Sequence, residues 1–178
     1  GNMISEPLAV REQQTKSPRK FYQETFAPRR GPVARGHNDS VVINMDEPSP
    51  RILVADDDPE KREMLAEELR ASGYEVLLAK DGAQLREMLD GKGIKRIDPE
   101  PDLIVSDIRM PGKSGLEVLE ALRTSNWAMP VILITAFGTP ETHDEAKRLG
   151  ANVILDKPFD LDDLVAAVRR VVPLPEAG

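Results

Sequence analysis

Five short apolar runs recur along the chain, and an amphipathic stretch follows each. The runs are Ile52–Ala55, Glu75–Ala79, Leu103–Val105, Val131–Ile134 and Val153–Leu155. Runs this short are of strand length. Most lack an alternation of polar and apolar residues, so they are expected to be buried on both faces. Between them apolar residues return at helical spacing: Met64, Leu65 and Leu69; Leu85, Met88 and Leu89; Leu116, Val118, Leu119 and Leu122; and, after the last run, Leu161, Leu164, Val165, Val168 and Val171. Helix starts carry capping chemistry. Asp58-Pro59 and Thr139-Pro140 pair an N-cap with a proline at the first helical position, Asp81/Gln84 and Ser114/Glu117 have capping-box spacing, and Asp160 stands before the last stripe. Gly73 and Gly150 are placed to end helices. Strands alternating with helices predict a doubly wound α/β fold, a parallel sheet covered by helices on both faces. In such sheets ligands bind beyond the carboxyl ends of the strands.

This pattern begins at Arg51. Residues 1–50 hold six of the fifteen prolines and show no sustained period. They read as an N-terminal extension, a flexible or docking arm, and Gly1-Asn2 ahead of Met3 has the look of a tag-cleavage remnant. Within the arm, Phe21, Tyr22 and Phe26 could dock through their rings, and Val41–Ile43 could form a short strand. Residues 51–172 form the globular domain, and residues 173–178 read as a tail or the start of a linker. Charge divides along the same line. The arm has seven Lys/Arg against six Asp/Glu, whereas residues 51–178 have seventeen against twenty-five. A domain this acidic is a poor nucleic-acid binder. No cysteine is present for disulfides or thiolate metal sites, and no apolar run approaches a membrane span. A cytoplasmic location is the default expectation.

The polar residues at the strand ends are the candidates for chemistry. Asp56, Asp57 and Asp58 follow the first run, Asp107 the third, Thr135 the fourth and Lys157-Pro158 the fifth. Each has a plain alternative: Asp58 as an N-cap, Asp107 as a turn cap, Thr135 as a backbone partner, Lys157 as a surface charge. Together they say more. Clustered carboxylates repel one another, and a divalent cation relieves the repulsion. Oxygen ligands without His or Cys suit Mg²⁺, with Mn²⁺ as the alternative ion. An ammonium and a hydroxyl nearby can hold phosphoryl oxygens. The chemistry that fits is phosphoryl transfer to a carboxylate.

In their order and spacing the segments ILVADDDPEKREML (52–65), LIVSDIRMPGKSGLEVL (103–119), VILITAFG (131–138) and ANVILDKPFD (151–160) resemble the receiver domain of two-component response regulators, chemotaxis receivers included. The resemblance implies a flavodoxin-like five-stranded parallel sheet of order 2-1-3-4-5 with five helices. It implies Asp107 as phosphoacceptor, Asp57 as direct Mg²⁺ ligand, Asp56 acting at or through a metal-bound water, and the main-chain carbonyl of Arg109 as a further ligand. Thr135 would be the hydroxyl that moves toward the phosphoryl group. Lys157 would pair with the acceptor through a cis Lys157–Pro158 bond. The donor would be the phosphohistidine of a sensor histidine kinase or phosphotransfer protein, approaching near Asp58, Pro59, Lys61 and Arg62. Such a domain promotes only its own phosphorylation and dephosphorylation and is not a turnover enzyme.

The sequence departs from the family pattern in two ways. Ile154 stands where members usually carry the aromatic that rotates on activation. Arg109 and Phe137 occupy the two positions that tune hydrolysis of the acyl phosphate, and an arginine with a bulky ring there predicts slow loss of the phosphoryl group. The output surface is expected on the fourth helix, fifth strand and fifth helix, with Thr139, His143, Lys147 and Arg148 as contacts. It would serve a downstream protein partner, an output domain outside this sequence, or a homodimer, with no direct nucleic-acid or membrane binding. An aspartate-nucleophile phosphatase is the enzymatic rival, but it commonly needs a second acid where this chain has Arg109. A P-loop is excluded by the missing Gly-rich Lys-Ser/Thr signature. A pure interaction module is the remaining alternative.

Overall fold

The computed structural model describes residues 20–22, 48–90 and 100–175. The expected strand Val41–Ile43, the aromatic Phe26 and most of the arm lie outside the described residues. In chain order the elements are β1 (Lys20–Tyr22), β2 (Arg51–Ala55), α1 (Pro59–Ala71), β3 (Glu75–Ala79), α2 (Gly82–Asp90), β4 (Leu103–Asp107), α3 (Gly115–Thr124), β5 (Val131–Thr135), α4 (Pro140–Arg148), β6 (Val153–Asp156) and α5 (Leu161–Val171).

Strands β3-β2-β4-β5-β6 form a parallel sheet, which in the numbering of the parallel strands alone is the order 2-1-3-4-5. The helices divide between its faces. Leu85 and Leu89 of α2, Val118, Leu119 and Leu122 of α3 and Ala146 of α4 share one core with Leu53, Ile104, Leu133 and Ile154. Leu65 and Leu69 of α1 and Leu164, Val165 and Val168 of α5 share the other with Ile52, Val54, Ile132 and Leu155. Strands β4 and β5 are buried along their whole length, which explains their unbroken apolar character.

The caps are largely those read from the sequence. Asp58 accepts from the backbone N–H groups of Glu60 and Lys61, Thr139 from that of Thr142, and Ser114 and Glu117 form a reciprocal box. At α2 the expected box is skewed. Asp81 accepts from Gln84 N–H at 2.7 Å, but the Gln84 side chain accepts from Lys80 N–H instead. Met64, expected to face inward, is 47% exposed, and Ala66 completes the α1 stripe in its place.

One element was not expected as a strand. β1 adds to the outer edge of β6 in antiparallel register, with Lys20 opposite Leu155, Phe21 opposite Ile154 and Tyr22 opposite Val153. At the other end of the domain, the buried Tyr74 hydroxyl donates to the Val172 carbonyl at 2.8 Å. Leu174 packs against the same core, near Gly73, whose φ of +101° closes the turn after α1.

At the entrance to β6 a side chain supplies a missing rung. Val131 N–H donates to Asn152 Oδ1 at 2.9 Å while Asn152 N–H donates to the Val131 carbonyl at 2.8 Å. Asn152→Ala leaves the buried Val131 N–H unpaired, at a cost of about 1–3 kcal/mol. The urea midpoint is expected to fall with an unchanged m-value, and an unaltered midpoint would refute the role given to the side chain.

Candidate phosphoacceptor site

The carboxyl ends of β2, β4, β5 and β6 are adjacent in the sheet, and each delivers one of the expected polar residues. β2 and β4 are neighbours whose connections leave toward opposite faces, which opens a crevice at their ends. Asp107 is the last residue of β4 and is 7% exposed. A carboxylate buried this deeply needs partners for its charge. Lys157 Nζ donates to its Oδ2 at 2.8 Å, and the Arg109 backbone N–H donates to its Oδ1 at 2.9 Å. The Lys157–Pro158 peptide bond is cis, as the resemblance implies.

Asp56 is buried and Asp57 is exposed. Asp56 Oδ1 accepts from Asp58 N–H at 2.9 Å, and the Asp56 carbonyl accepts from Arg62 Nη1 at 2.7 Å. Asp56 Oδ2 is buried without a hydrogen-bond partner. Burial pushes the Asp56 carboxyl above its ordinary range. The Asp58 amide and Lys157 pull it down, and the negative charges of Asp107 and Asp57 push it up further. No three acidic, His or Cys side chains form a ready-made metal cage among the described residues. A Mg²⁺ site needs none, because that ion keeps several waters and takes one or two carboxylates together with phosphate oxygens. An orphaned buried carboxylate oxygen, with two more carboxylates near enough to perturb it, is a donor set that fits a hard divalent cation.

Thr135 ends β5 and is buried. Its Oγ1 accepts from Phe137 N–H at 3.1 Å, and its carbonyl accepts from Lys157 N–H at 2.8 Å. Helix α3 abuts the site from below. Gly115 N–H donates to the Ile108 carbonyl, and a Cβ on Gly115 would come within 2.5 Å of the Asp107 carbonyl oxygen. Arg109 and Phe137 are both exposed, with the guanidinium carbon 4.2 Å from the ring centroid. Ile154 is fully buried in the core on the α4 side of the sheet.

Two features of the site were not legible in advance. Arg62, expected only as part of a kinase approach, clamps the Asp56 carbonyl. His143, expected as an exposed contact, is partly buried and turns inward, its Nε2 lying 2.9 and 3.1 Å from the two oxygens of Asp156. That pair joins α4 to the end of β6 one residue before Lys157. It packs so closely that a side chain on Gly138 would overlap it. Neither pairing follows a helical or strand period, so no spacing in the sequence announces it.

Comparison with known proteins bears on the family and the fold. The family model described as response regulator receiver domain matches residues 52–169. The sporulation initiation phosphotransferase F of Bacillus subtilis is 32% identical over 124 residues, which is 70% of this chain and 94% of that protein. The regulatory protein AtoC of Escherichia coli is 37% identical over 124 residues, 70% of this chain but only 25% of its own length. The chain therefore spans about a quarter of one of these relatives and nearly all of the other. Among solved structures, a Francisella response regulator receiver domain aligns with a TM-score of 0.63 at 29% identity, covering 69% of this chain and 96% of that one. The chemotaxis protein CheY4 of Vibrio cholerae aligns at 0.60 and 31% identity, covering 70% and 100%. The chain belongs to the response regulator receiver domain family.

Proposed function

We propose that this domain accepts a phosphoryl group from a phosphohistidine onto Asp107, in a Mg²⁺-dependent reaction, and passes the change to the surface made by α4, β6 and α5. The observation that carries the reading is the buried Asp107 carboxylate held by Lys157 at the sheet's switch point. One Asp107 oxygen attacks phosphorus as the P–N bond to the donor imidazole breaks, and the imidazole leaves with its proton. The protein's contribution is positioning and charge. Lys157 moves from the carboxylate to the equatorial phosphoryl oxygens, and the Thr135 hydroxyl turns to donate to them. Asp56, Asp57, Asp107 and the Arg109 carbonyl would hold a hard divalent cation, Mg²⁺ or Mn²⁺, which would supply the remaining positive charge.

The route outward begins at Thr135. Its strand neighbour Asp156 is the residue that His143 grips, so a shift of Thr135 reaches α4 through that pair. With an aliphatic Ile154 in the core, the His143–Asp156 pair takes the part that a rotating ring plays elsewhere in the family. Thr139, Lys147 and Arg148 are exposed on α4 and its cap, available to a protein partner or a second copy. Arg109 stacked on Phe137 screens the acyl phosphate from water.

Incubation with Mg²⁺ and acetyl phosphate should add one phosphoryl group to the wild-type chain and none to Asp107→Asn, read by intact mass. In the same samples the His143 ring resonances should shift only in the wild type. Modification of Asp107→Asn to the wild-type extent would end the assignment. An exposed cation–π contact contributes about 0.5–1 kcal/mol. Removing it in the double variant Arg109→Ala, Phe137→Ala should therefore speed hydrolysis roughly two- to fivefold. An unchanged half-life would exclude the screen.

Asp56 supplies a test of the metal. Its carboxyl is held above the ordinary range mainly by burial, so its charged form destabilises the metal-free fold at neutral pH. Asp56→Asn should raise the melting temperature of the metal-free protein at pH 7. As the pH falls through the raised Asp56 pKa the wild type sheds that penalty, and the difference should close. Added Mg²⁺ should stabilise the wild type more than the variant. Equal Mg²⁺ stabilisation of both would remove Asp56 from the metal site.

A further inference from the structure

The β6 strand lies at the rim of the parallel sheet, with α4 on one face and α5 on the other. An open rim strand presents unpaired N–H and C=O groups and accepts any extended segment of suitable register. Here the direction of those groups can be worked out. Asn152 N–H donates inward to Val131 of β5. Ladder directions alternate along a strand, so Ile154 also points to β5, whereas Val153 and Leu155 point outward. The register of β1 sets Tyr22 opposite Val153 and Lys20 opposite Leu155. The two outward residues are the two that the N-terminal segment meets.

We infer that the outer edge of β6 is a strand-acceptor site filled in cis by Lys20–Tyr22, and that a second copy associating through the α4–β6–α5 face must displace this strand. The inference rests on the output surface proposed above. Four further observations bear on it. A strand this short is held by few ladder bonds, so it belongs to the part of a fold that opens at low cost. Residues 23–50 separate it from β2, so leaving the edge does not require the domain to unfold. The arm carries a small positive charge and the domain a large negative one, which favours the closed arrangement. The edge also ends at Asp156 and Lys157, so its occupant lies along the strand whose end pairs with His143 and Asp107.

Residue-resolved amide exchange on the full chain tests the first half without any phosphodonor. In the variant Lys20→Pro, Tyr22→Pro, which removes both facing donors from β1, the Val153 and Leu155 amides should exchange about tenfold faster than in the wild type, with Ile154 unchanged. Equal exchange of Val153 and Leu155 in the two chains overturns the strand-acceptor assignment. Protection that weakens on dilution overturns the cis assignment in favour of strand exchange between copies. For the second half, both chains are loaded with beryllofluoride and Mg²⁺ and examined by sedimentation equilibrium. The variant should self-associate about tenfold more tightly. Equal association overturns the competition. Failure of beryllofluoride to bind, seen as unmoved His143 and Thr135 resonances, would count against the phosphoacceptor reading and leave the exchange result standing.

Discussion

A carboxylate at the end of the central strand of a parallel sheet sits where the protein can least tolerate an uncompensated charge. Asp107 is held there by Lys157, and the pair determines more than its own geometry. Lys157 follows β6, Asp107 ends β4, and β5 runs between them, so the ammonium must reach across the end of β5, where Thr135 lies. Removing one partner of such a pair strands the other in a poorly solvated place. The order of β4, β5 and β6, the placement of the β6–α5 connection and the burial of Thr135 are therefore conditions of one another. In the function proposed above, a phosphoryl group on Asp107 would take over the lysine's charge, and every group arranged around the original pair would receive the change.

The acidic residues after β2 divide unequally. Asp56 is buried with one oxygen satisfied by backbone and one left over, whereas Asp57 stays in solvent. The Arg62 bond to the Asp56 carbonyl then fixes the loop against the first turns of α1. A leftover buried oxygen is costly in the free protein, and that cost is the reason a cation would be welcome.

Much of this was readable from the chain. The short apolar runs gave the strands, because strands buried on both faces cannot alternate. The stripes and caps gave the helices, because Asp58, Ser114 and Thr139 satisfy backbone groups within their own turns. The gathering of Asp56, Asp107, Thr135 and Lys157 at one edge was readable because sheet topology brings strand ends together whatever the loops do. Contacts made across elements were not. Met64 has helical spacing with Leu65 but lies at the margin of the apolar stripe, and spacing alone does not set how far a core extends. The grip of His143 on Asp156, the reach of Arg62 and the stacking of Arg109 on Phe137 depend on loop paths. β1 was missed as a strand because three residues carry too little pattern to count as an element, and its partner is far away in sequence.

The bond from Tyr74 to the Val172 carbonyl bears on how the domain acts mechanically. It fastens the end of α5 to the turn before β3, on the far side of the sheet from β6. Leu174 extends the fastening two residues further. The segment just after α5 is thus clamped to the domain. Residues 172–174 therefore keep a fixed bearing relative to α1 and β3, much as a pointer does from the case of an instrument. Rearrangement on the opposite rim would then be measured against a stationary frame.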